Sequence, residues 1–206
     1  MATEIDLYDA SVSSERAVKY WDPMPHVAVV LRSLPQHGLR PTRDEIFQGK
    51  WEERNWRNPP GPFYGAMTDN CWVGRLHAPR HVLYGDDIEY EQEFLYRQPR
   101  TVQELQDVIV AMQEDPWAGW ACDGDAWWTP SLVRQWWRER GRLRDWITAK
   151  YREWSASDRA DEREAANGLT DYVAYLDGDL ASHLQAYMYF LDNGAGPALG
   201  DRLPAL

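Results

Sequence analysis

Lysine is nearly absent from this chain, at 3 residues against 19 arginines, and the 22 basic side chains face 33 acids for a formal net charge of −11. A deficit of positive charge on that scale excludes the non-specific grip on phosphate backbones by which proteins hold nucleic acid. Cysteine is equally scarce, with only Cys71 and Cys122. Two thiols are too few for a cysteine-ligated iron–sulfur cluster, and such sparse use suits a reducing compartment. Long apolar runs are missing as well. Runs such as Val27 to Leu31 fall far short of the ~18 residues a membrane-spanning helix takes. The opening Met1-Ala-Thr-Glu-Ile-Asp6 has no basic patch leading into an apolar stretch, so no secretory signal is expected. These absences together predict a soluble, cytoplasmic protein with no nucleic-acid or membrane partner.

What is present is an ordinary globular composition, 44% hydrophobic and 27% charged, enough for a core without disulfide staples. Residues 1–206 are expected to form one domain. The acid is unevenly spread: residues 61–130 hold 12 acids against 4 bases, while residues 131–206 hold 12 against 10. The unusual count is 12 Trp, six of them (Trp117, Trp120, Trp127, Trp128, Trp136, Trp137) between residues 117 and 137.

The punctuation predicts an α+β fold, mainly helical, with a small antiparallel sheet inserted mid-chain and a C-terminal helical hairpin. Asp22-Pro23 favours a helix start for the stripe Val27, Val30, Leu31 and Leu34, closed by Pro35 and Gly38, with a strand over the β-branched Val27-Ala-Val-Val30 as the alternative. Capping boxes open helices at Thr42-Arg-Asp-Glu45 and Thr101-Val-Gln-Glu104. The second carries Leu105, Val108, Ile109 and Met112. Between them, Asn58-Pro-Pro-Gly-Pro62 is a loop no helix can cross. Within residues 61–100, β-prone runs at Cys71–Leu76, His81–Tyr84 and Phe94–Arg97 read as a β meander. Residues 129–193 read as the hairpin, one helix starting at Thr129-Pro130 and reaching Trp154, the other spanning 158–192 and capped by Asn193-Gly194. Residues 194–206 are a Pro/Gly-rich tail.

No phosphate loop, nucleophile elbow or dinucleotide fingerprint occurs, so the catalytic residues, if any, are unknown from sequence. Cys71, His77, His81 and Cys122 are thiols and imidazoles, as zinc prefers, but they lack a paired C-x2-C spacing and Pro79 separates the histidines; no metal and no cofactor is expected. Asp177-Gly-Asp179 reads as the solvated back of the last helix. The acid run Asp86 to Glu93 reads as a solvated hairpin tip, and His183 as a packed, hydrogen-bonded residue. The feature that stands out is the loop Pro116 to Trp128. Trp combines a large apolar face with an N–H donor and recurs at binding hot spots. Trp117, Trp120, Asp123, Asp125, Trp127 and Trp128 are therefore the candidate binding residues, in a protein expected to engage a protein or small-molecule partner through its acidic middle third. Adjacent Trp127 and Trp128 are expected to divide between partner and core. The alternative is a small enzyme in which Asp123 and Asp125 converge with His77 and His81.

Overall fold

A computed structural model describes residues 20–34, 42–69, 72–86 and 91–206. The chain opens with α1, Met24–Ser33, whose first turn is held by the Asp22 carboxylate accepting from the Met24 N–H at 2.9 Å. Of the expected stripe, Val27, Val30 and Leu34 are buried and Leu31 is half-buried; the closing residues Pro35 and Gly38 lie outside the described residues. At the Thr42 box the threonine N–H donates to Glu45 at 2.6 Å and begins α2, Arg43–Ile46. A single 3-10 turn, Trp51–Glu53, leads to β1, Tyr64–Gly65. There follow α3, Gly74–His77, β2, Val82–Asp86, and β3, Glu91–Leu95. The Thr101 hydroxyl caps α4, Val102–Gln113, through the Glu104 N–H at 3.1 Å. Beyond it come β4, Trp120–Ala121, and the one-turn α5, Gly124–Trp127. The C-terminal third is α6, Pro130–Arg138, α7, Arg140–Ser155, α8, Ala160–Asp177, and α9, Leu180–Asn193. The fold is α+β and mainly helical. Among the described residues no helix is long and apolar enough to cross a membrane.

The β2–β3 hairpin is the layer around which the rest is arranged. Leu83 pairs with Phe94 and Val82 with Leu95 in antiparallel register. Successive strand residues face opposite sides. Leu83 and Phe94 accordingly join the core built with Trp154, Leu169 and Tyr172 of α7 and α8, while Val82 and Leu95 join Val27, Leu105 and Ile109 of α1 and α4. All four are fully buried, so the hairpin is covered on both faces.

The sheet differs from the expected meander. The second half of the run Cys71–Leu76, expected as a strand, falls in the helical turn α3, Gly74–His77, instead. Its Gly74 N–H is met by the Glu93 carboxylate at 2.9 Å, and the Arg75 guanidinium reaches the carbonyls of Pro79 and Val82 at 2.8 and 2.9 Å. These tertiary bonds outweigh a weak strand propensity. A second two-stranded sheet, β1 with β4, pairs Tyr64 with Ala121 and Gly65 with Trp120 and divides what reads from sequence as one Trp-rich loop. Each long C-terminal helix is broken in two. At Glu139 the N–H is shared between the carbonyls of Gln135 and Trp136, each at 3.1 Å, and the axis turns so that α6 packs on α9 while α7 packs on α8. At Gly178 the backbone leaves helical geometry. Asp177-Gly-Asp179 is thus the α8–α9 corner rather than a helix back, with Asp177 paired to Arg144 of α7.

Between the 3-10 turn and β1 lies a stretch that contradicts the usual surface position of loops: residues 57–66 are buried without a break. Burial of a loop requires every backbone donor to find an acceptor. Pro59, Pro60 and Pro62 ease this by carrying no N–H. The Arg57 and Phe63 N–H groups reach the side-chain oxygens of Asn55 and Gln98 at 3.1 and 3.3 Å, and Asn58 ties the stretch to its neighbours. Its Nδ2 donates to the carbonyls of Asn55 and Gly65 at 2.6 and 2.8 Å, and its Oδ1 accepts from the N–H groups of Gly65 and Leu95 at 3.0 and 2.9 Å. One amide therefore ties the loop to β1 and β3 together. Beside it the Arg57 guanidinium lies between the rings of Trp56 and Trp146, 4.5 and 4.3 Å from their centroids. Its carbonyl accepts from the Tyr172 hydroxyl at 2.7 Å.

Glu93 corrects the reading of the acid run as solvated: the carboxylate is 1% exposed, though residues 87–90 of that run lie outside the described residues. Burial, with Asp115 and Asp69 nearby, pushes its pKa up to about 8. The folded protein thus keeps a proton that the unfolded chain releases near the ordinary 4.5. Stability from this group is complete below about pH 4.5 and is lost as pH rises through about 8. Glu93→Gln keeps an acceptor for Gly74 and removes the titration. Denaturant melts between pH 5 and 9 should show the Gln variant gaining on the native chain as pH rises; a pH-independent difference would contradict the assignment.

Candidate functional site

The buried loop positions the candidate site. Where β4 ends, the Gly124 N–H donates to the Pro62 carbonyl at 3.0 Å. A Cβ at Gly124 would lie 2.2 Å from the Gly61 carbonyl oxygen, so only glycine allows α5 to seat there. The carboxylate of Asp123, just before this turn, is shared. Its Oδ1 accepts from the Tyr64 hydroxyl of β1 at 2.8 Å, and its Oδ2 accepts from the Trp127 indole N–H at 2.9 Å. Trp127 is 45% exposed. Its ring runs nearly parallel to that of Trp51, 14° between planes and 6.2 Å between centroids. The Arg54 guanidinium lies 3.8 Å from the centroid of Trp51. Trp128, 7% exposed, meets Trp51 edge-on at 5.0 Å from beneath.

The other candidates are dispersed. Trp120 is wholly buried in β4, a core residue. Trp117 is 53% exposed, with its backbone N–H donating to Asp115 at 3.1 Å. Among the described residues it makes no ring contact with the Trp51–Trp127 pair. Asp125 accepts from the Tyr187 hydroxyl of α9 at 2.7 Å, and burial, with Asp22 nearby, raises its pKa. Asp123 and Asp125 therefore serve different elements and do not work as a pair.

Nor does the structure bring the histidines to the aspartates by hydrogen bond. His77 is exposed at the end of α3. His81 is buried, its Nδ1 2.8 Å from the Arg97 carbonyl, and burial lowers its pKa. Cys122 Sγ accepts from Arg43 Nε at 3.1 Å, while burial raises the thiol pKa and keeps it protonated. Cys71 lies outside the described residues. Among the described residues, no group of three or more His, Cys, Asp or Glu side chains is placed to hold a metal. His183 is packed as expected. Its Nε2 lies 2.5 Å from Arg100 Nη1 and its Nδ1 2.9 Å from the Tyr175 hydroxyl. Burial, then Arg100, brings its pKa down to about 4, so the neutral ring accepts from arginine on one nitrogen.

Trp51, Arg54 and Tyr64 complete the site and were not among the sequence candidates. The signal available was the interleaving in Trp51-Glu-Glu-Arg-Asn-Trp-Arg57, where arginines at short spacing from tryptophans can stack on their rings.

Adjacent Trp127 and Trp128 do differ in exposure, although Trp127 ends a helical turn rather than sitting in an extended loop. Trp128→Ala should cost about 3–5 kcal/mol in a denaturant melt, the toll of a core cavity. Trp127→Ala should cost about 1 kcal/mol, since a half-exposed ring has fewer contacts to lose. Equal, large losses would contradict this division. No protein-family model, curated protein or solved structure matches the chain.

Proposed function

We propose that this chain is a binding protein that engages a protein or small-molecule partner through the aromatic face of Trp127 and Trp51, with Asp123 as its anchor. The observation that carries the reading is that Trp127 is half exposed and yet held, its indole N–H bonded to a carboxylate that a buried tyrosine also holds. An exposed ring that merely closed the core would have no need of such an anchor. A ring fixed in advance does not lose rotamer freedom on binding, and this raises affinity without new contacts. Trp is also the residue type most enriched at binding hot spots. Of the six sequence candidates, Trp127 and Asp123 form the face, Trp128 supports it from below, and Asp125 fixes the same turn to α9. The net −8 over residues 61–130 favours a partner with an electropositive rim and disfavours nucleic acid.

The test compares the native chain with Trp127→Ala as immobilised baits for an extract of the source cells, with bound proteins and small molecules identified by mass spectrometry. The expected result is a set of species retained by the native chain and lost with the variant, while both melt cooperatively. Identical sets on the two baits, or none on either, would contradict the proposal.

A further inference from the structure

Trp128 also lines a second feature. A cleft with about 120 Å³ of free space opens between the buried loop and the α6–α7 corner, and Arg54, Arg140 and Arg142 all line it. These three form no ion pair among the described residues. Each is instead stacked on a tryptophan: Arg54 on Trp51 at 3.8 Å, Arg140 on Trp137 at 4.1 Å and Arg142 on Trp56 at 3.9 Å.

Stacking occupies the flat face of a guanidinium and leaves its in-plane N–H donors available. Arg54 gives one to the Trp51 carbonyl at 3.1 Å, and Arg140 gives one to the Trp137 carbonyl at 2.7 Å. Most of the donors on all three remain for a ligand. Burial lowers the pKa of Arg54, the mark of a cation moved out of water without a full counter-charge.

A second, independent observation points the same way. Asn55 lines the cleft and is 3% exposed. Its Oδ1 accepts from the N–H and Nη1 of Arg57 at 3.1 and 3.2 Å, but its Nδ2 is buried with no acceptor. A buried donor left unmade costs about 1–3 kcal/mol, and an oxyanion in the cleft would relieve it. Trp56 and Trp128 supply aromatic wall. Glu139 is the one carboxylate in the lining, held by Gln135 at 3.1 Å.

We propose that this cleft binds a small organic anion, its carboxylate or phosphate head on Arg54, Arg140, Arg142 and Asn55 and its apolar or aromatic body against Trp56 and Trp128. The cleft shares Arg54 and Trp128 with the margin of the Trp127 face, but Trp127 and Asp123 are outside its lining and the anion does not rest on them.

The experiment is calorimetric titration of the full chain, in buffer free of other oxyanions, with benzoate, phenyl phosphate and the neutral isostere benzyl alcohol. One or both anions should bind one-to-one, the two arms showing which head group the cleft takes, while the alcohol should not bind. Arg140→Gln and Arg142→Gln should each weaken the anion by about tenfold, the range of a charge-assisted hydrogen bond. Arg134→Gln, whose Nε is held by the Ala205 carbonyl at 2.8 Å, should leave it unchanged, as should Trp127→Ala. Glu139→Gln should tighten binding by roughly threefold, because it removes a nearby like charge; arginines serving only to pack the tryptophans would give no such gain. Absence of binding by both anions up to roughly 10 mM, equal binding of the alcohol, or equal affinity in the Arg140, Arg142 and Arg134 variants would overturn the proposal.

Discussion

The side-chain amide of Asn58 makes four hydrogen bonds in a fully buried place, two as donor and two as acceptor, and joins three separate pieces of backbone. Each such bond contributes about 0.5–1.5 kcal/mol net, but an orphaned partner costs about 1–3, so the arrangement tolerates no partial version of itself. The Gly65 N–H and carbonyl that Asn58 satisfies belong to β1, and the Leu95 N–H belongs to β3. Gly65 can lie this close because it lacks a Cβ, which would stand 2.5 Å from the Glu93 carbonyl oxygen. The position of β1 then fixes Tyr64, which fixes Asp123, which fixes Trp127. The candidate site is thus held through a chain of hydrogen bonds that begins in the core.

How far this could be read from sequence depends on how local each interaction is. The helix over 102–113 was legible because its Thr101 cap and its Leu105, Val108, Ile109 and Met112 stripe lie within one element. The Gly194 cap, with φ of +69°, was legible for the same reason. The breaks at Glu139 and Gly178 were not, because the 3.6-residue period runs through both and the turn is decided by which helix each segment packs on. The two-residue pairing of β1 with β4 leaves no pattern at all. Within the site, Asp123, Trp127 and Trp128 announced themselves by composition. Tyr64 did not, since it meets Asp123 across 59 residues of chain.

Charge also behaves differently in space than along the chain. The acidic excess of residues 61–130 includes Glu93, Asp115 and Asp125, whose pKa values burial raises. Part of the counted charge is therefore turned inward. Arg54 and the arginines of the α6–α7 corner, Arg140 and Arg142, are turned onto indole rings. An acidic protein can in this way present an acidic, aromatic face at Trp127 and a basic cleft lined by Trp128.

The claim that the buried loop anchors the rest is tested most directly by native-state hydrogen exchange at two amides, Gly65 and Leu95, both donors to Asn58 Oδ1. If the loop is integral to the core, both should exchange only with global unfolding, with the same denaturant dependence as the most protected amides of α8. Exchange of Gly65 and Leu95 through a local opening, at low denaturant and while α8 stays protected, would contradict the account.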